Sequence, residues 1–426
     1  MSLGRDFHLV QAAALLNGVG TRCSQLAVAW WALGVTGSTT LFATLIAVGA
    51  VADVAARGLL GWLGDRYPPR LLIAACYLVS AVCLVVLAWC RFAGLFSPVL
   101  IGGLLVVTGV CNGVREPLQA TIIRGLVPVE SVELAVRRRS SVMSASTLLA
   151  PVVASALIGT TGEKGTLAAT AVAVVLSLVL VTVADAAPPQ QAAQRRPGVF
   201  AGFRVVARLR VERHLAFSNF PITAAMYPVF AVLIPALTHR LHPGDVWLLG
   251  LLEAAFSAGL LAGSFGVVAR IAAVLGKART VHLGAALVGG SFAATGLVLL
   301  AAPGSVTLTA ATSVLLACGG VGLTMYTINI GTTRVLASPA ALRNRIGAAA
   351  AFAAGVAVPV GTFTSGLLVA WAGEELTLIG FGALIVVTAA ALSRSRDLTT
   401  LLNLPSADLD NAYHRLYPDA FAKEQV

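Results

Sequence analysis

Long, unbroken apolar runs constrain this chain more than any other feature of its sequence. Hydrophobic residues make up 58% of the 426 residues and charged residues only 11%, whereas a soluble domain has roughly 25% charged residues. One membrane-spanning helix needs about 20 mostly apolar residues. The runs reach that length without the alternation of apolar and polar residues that is typical of porin-like strands. We therefore predict an all-α membrane protein.

Glycine, proline and charged residues divide the apolar sequence into twelve runs, each of which predicts one transmembrane helix. The predicted spans lie near residues 8–35, 39–63, 70–92, 97–124, 134–160, 164–185, 213–238, 245–270, 280–301, 305–333, 343–371 and 375–394. The long polar stretch between the sixth and seventh runs separates two groups of six. We expect two six-helix bundles related by pseudo-twofold symmetry, each built from two inverted three-helix repeats.

The same pattern predicts four regions along the chain. They are an N-terminal bundle at 1–186, a cytoplasmic linker at 187–213, a C-terminal bundle at 214–395 and a polar cytoplasmic tail at 396–426. In the linker, Phe200, Phe203, Val206 and Leu209 recur at helical spacing opposite arginines. This amphipathic helix either lies on the membrane surface or is solvated. We expect the tail to be a flexible end or a docking strip.

Basic residues are distributed unequally between the two sides of the predicted membrane topology. Most of the 29 lysines and arginines lie on the side of the two termini, whereas Arg91, Lys164 and Arg240 lie on the other. The positive-inside rule therefore predicts that both termini are cytoplasmic. We expect the protein to span the plasma (inner) membrane. The net charge of +11 is a topology signal on this interpretation, and we expect no nucleic-acid partner.

The cysteines and histidines do not predict a cofactor or a metal site. All six cysteines lie in apolar runs without the spacing of a zinc site or a disulfide framework. His239 and His242 are three residues apart, which is compatible with metal binding, although a solvated loop pair is the simpler interpretation. We expect neither an enzyme nor a cofactor.

Charged residues inside the predicted spans are the strongest functional candidates, because charge in a bilayer is costly and is usually paired or functional. These residues are Arg22, Asp53, Arg57, Arg115, Glu116 and Glu253. Arg22 and Asp53 both lie near the middle of their spans, so an ion pair between them is expected. On the functional interpretation, Asp53 takes up a proton and its release from Arg22 reshapes a cavity. On the alternative interpretation, the pair is permanent and structural.

The fourth span predicts a water-filled cavity. Arg115 and Glu116 are adjacent, so they point about 100° apart on a helix and must face different partners. Asn112 and Gln119 extend the face of Arg115 by one turn in each direction. Glu253 has no charged partner in its own helix, and either faces the substrate or is hydrogen-bonded structurally. The remaining candidates for the cavity are Gln25, Tyr227, Tyr326 and Asn329.

Residues 61–70, Gly-Trp-Leu-Gly-Asp-Arg-Tyr-Pro-Pro-Arg, resemble the signature loop G-x-L-A-D-R-x-G-R-R of the major facilitator superfamily. The matching residues are Gly61, Leu63, Asp65, Arg66 and Arg70. The sequence departs from the pattern at position 64 and at the two prolines, which stiffen the loop. The resemblance implies that Asp65 pairs across the two halves to hold an outward-facing state, with Gly61, Arg66 and Arg70 completing this gating motif.

The stretches 124–130, 148–154, 202–204 and 338–346 are similar to a branch of that superfamily that contains the enterobactin exporter and macrolide-efflux-type proteins. This resemblance implies a monomeric, proton-coupled exporter of a siderophore or a similar small amphiphilic molecule, working by alternating access. The alternatives are a multidrug or macrolide efflux pump, an importer of a siderophore or metabolite, and a non-transporting membrane sensor. The direction of transport and the substrate rest on the resemblance.

Overall fold

The computed structural model describes residues 3–60, 63–127, 131–185, 201–242, 245–301, 306–339, 343–405, 408–409 and 411–420. Its helices are α1 (Arg5–Thr36), α2 (Thr39–Leu59), α3 (Leu63–Arg66), α4 (Pro69–Phe92), α5 (Pro98–Thr121), α6 (Ile123–Leu126), α7 (Val132–Val183), α8 (Ala201–Arg208), α9 (Arg210–Pro228), α10 (Ile234–Leu241), α11 (Val246–Ala262), α12 (Val268–Leu275), α13 (Lys277–Ala301), α14 (Val306–Ala337), α15 (Arg343–Ala372), α16 (Glu374–Ser393), α17 (Arg396–Asn403) and α18 (Ala412–Leu416). These ranges contain helices and no strand, which confirms the all-α fold.

Ten helical segments in the described ranges are long and apolar enough to cross a membrane. Two features account for the difference from twelve predicted spans. The fifth and sixth spans form the single long helix α7, which is interrupted at Gly162 (φ 67°, ψ −178°). The first span is α1, which is not among the ten segments. Its 32 residues include the polar side chains of Asn17, Thr21 and Arg22 at the centre. Each predicted span therefore lies on a helix.

Two spans are interrupted where the sequence places proline or glycine. A π-helical turn at Val229–Leu233 joins α9 to α10, between Pro228 and Pro235, neither of which has a backbone N–H to donate. A second π-helical turn at Gly263–Val267 joins α11 to α12 and contains Gly266 in a left-handed conformation (φ 88°). Such turns are single interruptions within otherwise regular helices, and they often occur at functional sites.

The chain divides into two compact units. Unit 1 contains Met1–Ala193, Phe230–Ala254 and Thr362–Ala370. Within it, α1 packs along α7, α2 packs on α5, and α4 contacts both α5 and α7. Unit 2 contains Gln194–Val229, Ala255–Gly361 and Trp371–Val426. Within it, α13 packs against α14 and α16, and α16 also contacts α9. The division into two sequential bundles stays a prediction.

The predicted amphipathic linker helix is present in part. It covers Ala201–Arg208 as α8, and Leu209 separates it from α9. On the predicted apolar face Leu209 is fully buried and Val206 is half-buried, and whether this helix lies on the membrane surface stays a prediction. Phe200 and the side chain of Phe203 lie outside the described residues.

The C-terminal tail packs on unit 2, which differs from the flexible end or docking strip expected from its polar composition. Leu398, Leu401 and Leu402 of α17 are buried, and α17 contacts α9, α13 and α14. Ser395 Oγ lies 3.1 Å from His214 Nδ1. Tyr413 of α18 is also fully buried. Apolar residues at helical spacing within this stretch were the signal that the polar composition obscured.

A buried carboxylate fastens the tail to two longer helices of unit 2. Glu212 of α9 is fully buried, and its Oε1 accepts a hydrogen bond of 2.6 Å from the Tyr413 hydroxyl. Arg334 of α14 donates from Nε to both carboxylate oxygens, at 2.8 and 3.1 Å. A buried charge with several partners is costly to disturb, because the remaining groups are left without compensation.

Small residues allow α2 and α5 to approach closely within unit 1. Gly109 and Gly113 are four residues apart on α5, and a Cβ at either position would collide with the backbone of α2, at Gly49 and Asp53 respectively. By contrast, a Cβ at Gly103 on the same helix would meet nothing within 4 Å. This is the small-x-x-x-small packing of membrane helices.

We predict that Gly109→Leu destabilises the protein, because the added side chain must push α2 away from α5. Overpacking of this kind costs about 1–3 kcal/mol. The melting temperature in detergent and the yield of monodisperse protein should both fall. Gly103→Leu is the matched control, and an equal loss in this variant would contradict the proposed helix contact.

We predict that Tyr413→Phe also lowers stability, since it removes a hydrogen bond to a buried charge. Such bonds contribute about 1.5–3 kcal/mol, which corresponds to a fall in melting temperature of about 2–3 °C for a chain of this length. Tyr417→Phe is the control, because Tyr417 is only partly buried and no hydrogen bond of its hydroxyl is found among the described residues. Equal stability of wild type and Tyr413→Phe would show that the tail is not fastened at this point.

The ionisation of Tyr413 makes a separate prediction about pH. Burial, and next the charge of Glu212, raise the pKa of Tyr413 well above its usual value of 10. The phenol therefore stays protonated in the folded protein while it ionises in the unfolded chain, so stability is lost as pH rises above about 10. Between about pH 9.5 and 11, the melting temperature of wild type should fall more steeply than that of Tyr413→Phe. Parallel curves would contradict this assignment.

Candidate functional site

A buried ion pair connects α1 to α11 within unit 1. Arg22 Nη2 donates to Glu253 Oε1 at 2.6 Å, and the Glu253 side chain is only 3% exposed. Arg22 Nη2 also donates to the backbone carbonyl of Phe230 at 3.0 Å. One guanidinium therefore binds a carboxylate and a main-chain oxygen from two different helical segments.

The π-helical turn places this carbonyl within reach of Arg22. In a π-helical turn the carbonyl of residue i is bonded by the N–H of residue i+5. The residue five positions after Phe230 is Pro235, which has no N–H. Pro235 therefore cannot donate to the Phe230 carbonyl, and Arg22 donates to it. The guanidinium thus supplies a donor at an interruption of the helix.

The expected Arg22–Asp53 pair is wrong, since the structure pairs Arg22 with Glu253 and Asp53 with Arg57. Arg57 Nε and Nη2 donate to the two Asp53 oxygens, each at 2.9 Å, and Nη2 also pairs with Glu116. Arg57 is one turn after Asp53 on α2, so the pair needs no tertiary contact. Equal depth in the membrane was a poor guide, because it leaves the direction of each side chain around its helix axis undetermined.

Arg115 lies in a second polar cluster, formed by α1, α4 and α5. Its Nη1 donates to Asn17 Oδ1 at 2.8 Å, and its Nη2 donates to Asn112 Oδ1 at 2.7 Å. The guanidinium also stacks over the Tyr77 ring, 5.0 Å from its centroid, and Gln119 donates to the Tyr77 hydroxyl at 3.1 Å. This contact set confirms that residues 112, 115 and 119 share a face. Asn17 and Tyr77 were missed as partners.

The neighbouring carboxylate of Glu116 points away from this cluster. It pairs with Arg57, and its side chain is 43% exposed. Arg115 and Glu116 therefore face different partners, as their adjacent positions predicted. The Asp53–Arg57–Glu116 group is considerably more exposed than the Arg22–Glu253 pair.

The other candidate cavity residues are placed separately. Gln25 is half-buried on α1, and Tyr227 is half-buried on α9. On α14 in unit 2, Tyr326 and Asn329 are buried, and Asn329 Nδ2 donates to the carbonyl of Met325 at 2.8 Å. This bond lies within its own helix and satisfies the amide locally. The roles of these four residues in a cavity stay predictions.

The signature loop is described only in part, because Gly61 and the side chain of Asp65 lie outside the described residues. Arg66 stacks over the ring of its neighbour Tyr67, with 5.9 Å between guanidinium carbon and ring centroid. Arg70 donates to the carbonyls of Val181 and Thr182 at the end of α7. A cation in this position compensates unbonded carbonyls and the helix dipole. The gating roles of the motif stay predictions.

The described residues contain no group of three or more His, Cys, Asp or Glu side chains arranged to hold a metal ion. Their charged side chains in the spans instead form pairs and small groups between helices. This arrangement provides carboxylates and guanidiniums, and protonation of a carboxylate weakens such a pair.

Comparison with known proteins agrees with a transporter fold. The profile of the Major Facilitator Superfamily matches residues 12–362, and no curated protein matches the chain by sequence. A bacterial homologue of the human lysosomal transporter Spinster has a TM-score of 0.74 at 13% identity, covering 95% of this chain and 100% of its own. A D-xylose–proton symporter has a TM-score of 0.71 at 14% identity, covering 95% and 98%. A bacterial homologue of the iron transporter ferroportin has a TM-score of 0.70 at 14% identity, covering 92% and 100%.

At these identities the solved structures show a common fold. Together with the family match over most of the chain and the ten apolar helices, they identify a multi-pass membrane transporter and not an enzyme. The protein belongs to the major facilitator superfamily.

Proposed function

We propose that the protein is a proton-coupled secondary transporter that exports a siderophore, or a similar small amphiphilic molecule, across the plasma membrane by alternating access. The substrate and the direction rest on the resemblance of a few short stretches to the branch with the enterobactin exporter. The observation that carries proton coupling is the Arg22–Glu253 pair. A solved structure of similar fold is a D-xylose–proton symporter, which agrees with proton coupling as one mode of this fold.

The burial of Glu253 is the first step of the argument. Its carboxylate lies in a span and is almost fully covered, and a charge in that setting is costly unless it is paired. Glu253 therefore has two favourable states, ionised against Arg22 or protonated and neutral. Exchange between these states takes up or releases one proton.

The second partner of Arg22 links this exchange to the shape of the helix. When Glu253 is protonated, Arg22 loses its carboxylate but keeps the carbonyl of Phe230. That carbonyl belongs to the π-helical turn between α9 and α10. Protonation thus weakens the tie between α1 and α11 while α1 stays bonded to this turn, and a proton gradient can bias two conformations that differ in the α1–α11 contact.

Asp53 is the alternative proton-coupling residue. It shares Arg57 with Glu116, and two carboxylates around one guanidinium are not both fully neutralised. Its greater exposure gives water easier access than at Glu253. Asp53→Asn and Glu253→Gln in one assay therefore decide which acid couples transport to protons.

Export is tested by the iron-chelating activity of the culture medium. Deletion of the gene should lower this activity, and the wild-type gene should restore it. We expect Glu253→Gln to stay at the level of the deletion strain despite normal amounts of protein in the membrane. Glu163→Gln is the matched control, since it removes a different ion pair, with Arg91 at 3.4 Å, and should restore secretion.

Coupling is tested in everted vesicles with the chelator purified from that medium. Wild type should accumulate it when a pH gradient is imposed, whereas Glu253→Gln should exchange internal for external chelator without accumulating it. Gradient-driven accumulation by Glu253→Gln at the wild-type level would remove Glu253 from the coupling role. Unchanged secretion after gene deletion would refute siderophore export.

A further inference from the structure

Arg115 carries a buried positive charge that no described carboxylate neutralises. Several other guanidiniums on the long helices have acidic partners: Arg22 with Glu253, Arg57 with Asp53 and Glu116, Arg91 with Glu163, and Arg334 with Glu212. The partners of Arg115 in the described structure are the amide oxygens of Asn17 and Asn112 and the ring of Tyr77. All three are neutral.

Neutral partners compensate a buried charge only in part. Arg115 is 7% exposed, and a charge taken out of water is costly unless an opposite charge or a full set of hydrogen bonds replaces its hydration. The adjacent Glu116 does not supply that charge, since it points to Arg57. The site therefore keeps a net positive charge inside the membrane.

One edge of the guanidinium has unused donor capacity. Arginine has five N–H donors, and the two amide oxygens account for two of them. Nε of Arg115 is buried and has no hydrogen-bond partner in the described part of the chain. A carboxylate or phosphate binds such an edge through two parallel charge-assisted hydrogen bonds. The amides hold the guanidinium in place, and the Tyr77 ring covers one of its faces.

We propose that Arg115, oriented by Asn17, Asn112 and Tyr77, binds a carboxylate or phosphate group of the transported molecule, so that the substrate is an anion. The inference rests on the proposed transport function and names its substrate class. The bound anion supplies the countercharge that the protein itself does not place beside Arg115.

The first test compares probes of similar shape and different charge on the purified protein. Benzoate and phenyl phosphate represent the two anionic groups, and benzamide is the neutral control. At about ten times the dissociation constant, we expect at least one anion to raise the melting temperature by about 1.5 °C, with no rise for benzamide. Equal effects of anion and benzamide, or no effect of either anion, would overturn the proposal.

Variants assign the effect to Arg115. Arg115→Gln should abolish the anion-dependent rise, whereas Arg91→Gln, on α4 and with its own acidic partner, should retain it. If Arg115→Gln does not fold, Asn112→Asp decides the question, because it places a carboxylate where the amide oxygen lies 2.7 Å from Arg115. This variant should be more stable without ligand and should no longer respond to the anions. A wild-type response in either variant refutes the site.

This experiment is independent of proton-driven transport, because it measures binding. Anion binding at Arg115 without gradient-driven transport would contradict the proposed function alone. Conversely, the protein could transport a neutral or cationic molecule while neither anion raises its melting temperature. That result would refute the anion site but not the transport function.

Discussion

Water is absent from the hydrocarbon core of a bilayer, so a charge placed there must be neutralised by the protein or by what the protein binds. This requirement organises the polar interior of the chain. Arg22 and Glu253 lie 231 positions apart in sequence, yet they meet in unit 1 because neither is stable alone in a span. Glu212 and Arg334 form a buried pair in unit 2, at the ends of two spans. Arg115 has only neutral described partners, and the same requirement then favours an anionic ligand.

Interruptions of the helices place backbone groups beside these charges. Backbone N–H and C=O groups within a membrane must be bonded inside the protein, and a proline removes one donor from that set. The turn between α9 and α10 lies between two prolines, and the Phe230 carbonyl within it accepts from Arg22. The buried pair and the interrupted helix are therefore parts of one arrangement. This arrangement gives the proposed protonation of Glu253 a structural consequence.

Local features of the sequence predicted the helices and several of the polar faces. The apolar runs predicted each span, and the spacing of Asn112, Arg115 and Gln119 predicted their common face. Prediction was poorer where the partner lies elsewhere in the chain. An ion pair between Arg22 and Asp53 was predicted from their equal depth in the membrane. The direction in which each side chain points around its helix axis depends instead on how the helices pack. The polar composition of the tail predicted a flexible end or a docking strip, whereas its leucines and Tyr413 pack within unit 2.

The sequence by itself determined that this chain is an all-helical membrane protein, because hydrophobic length and the need to bond the backbone internally are properties of each segment alone. It also indicated the superfamily, through the loop at 61–70. Only the tertiary structure decided which charges are paired, and that Arg115 has no acidic partner in the described residues. Pairing is decided by the rotation and approach of helices distant in sequence, and these depend on small contacts such as that of Gly109 with the backbone of α2.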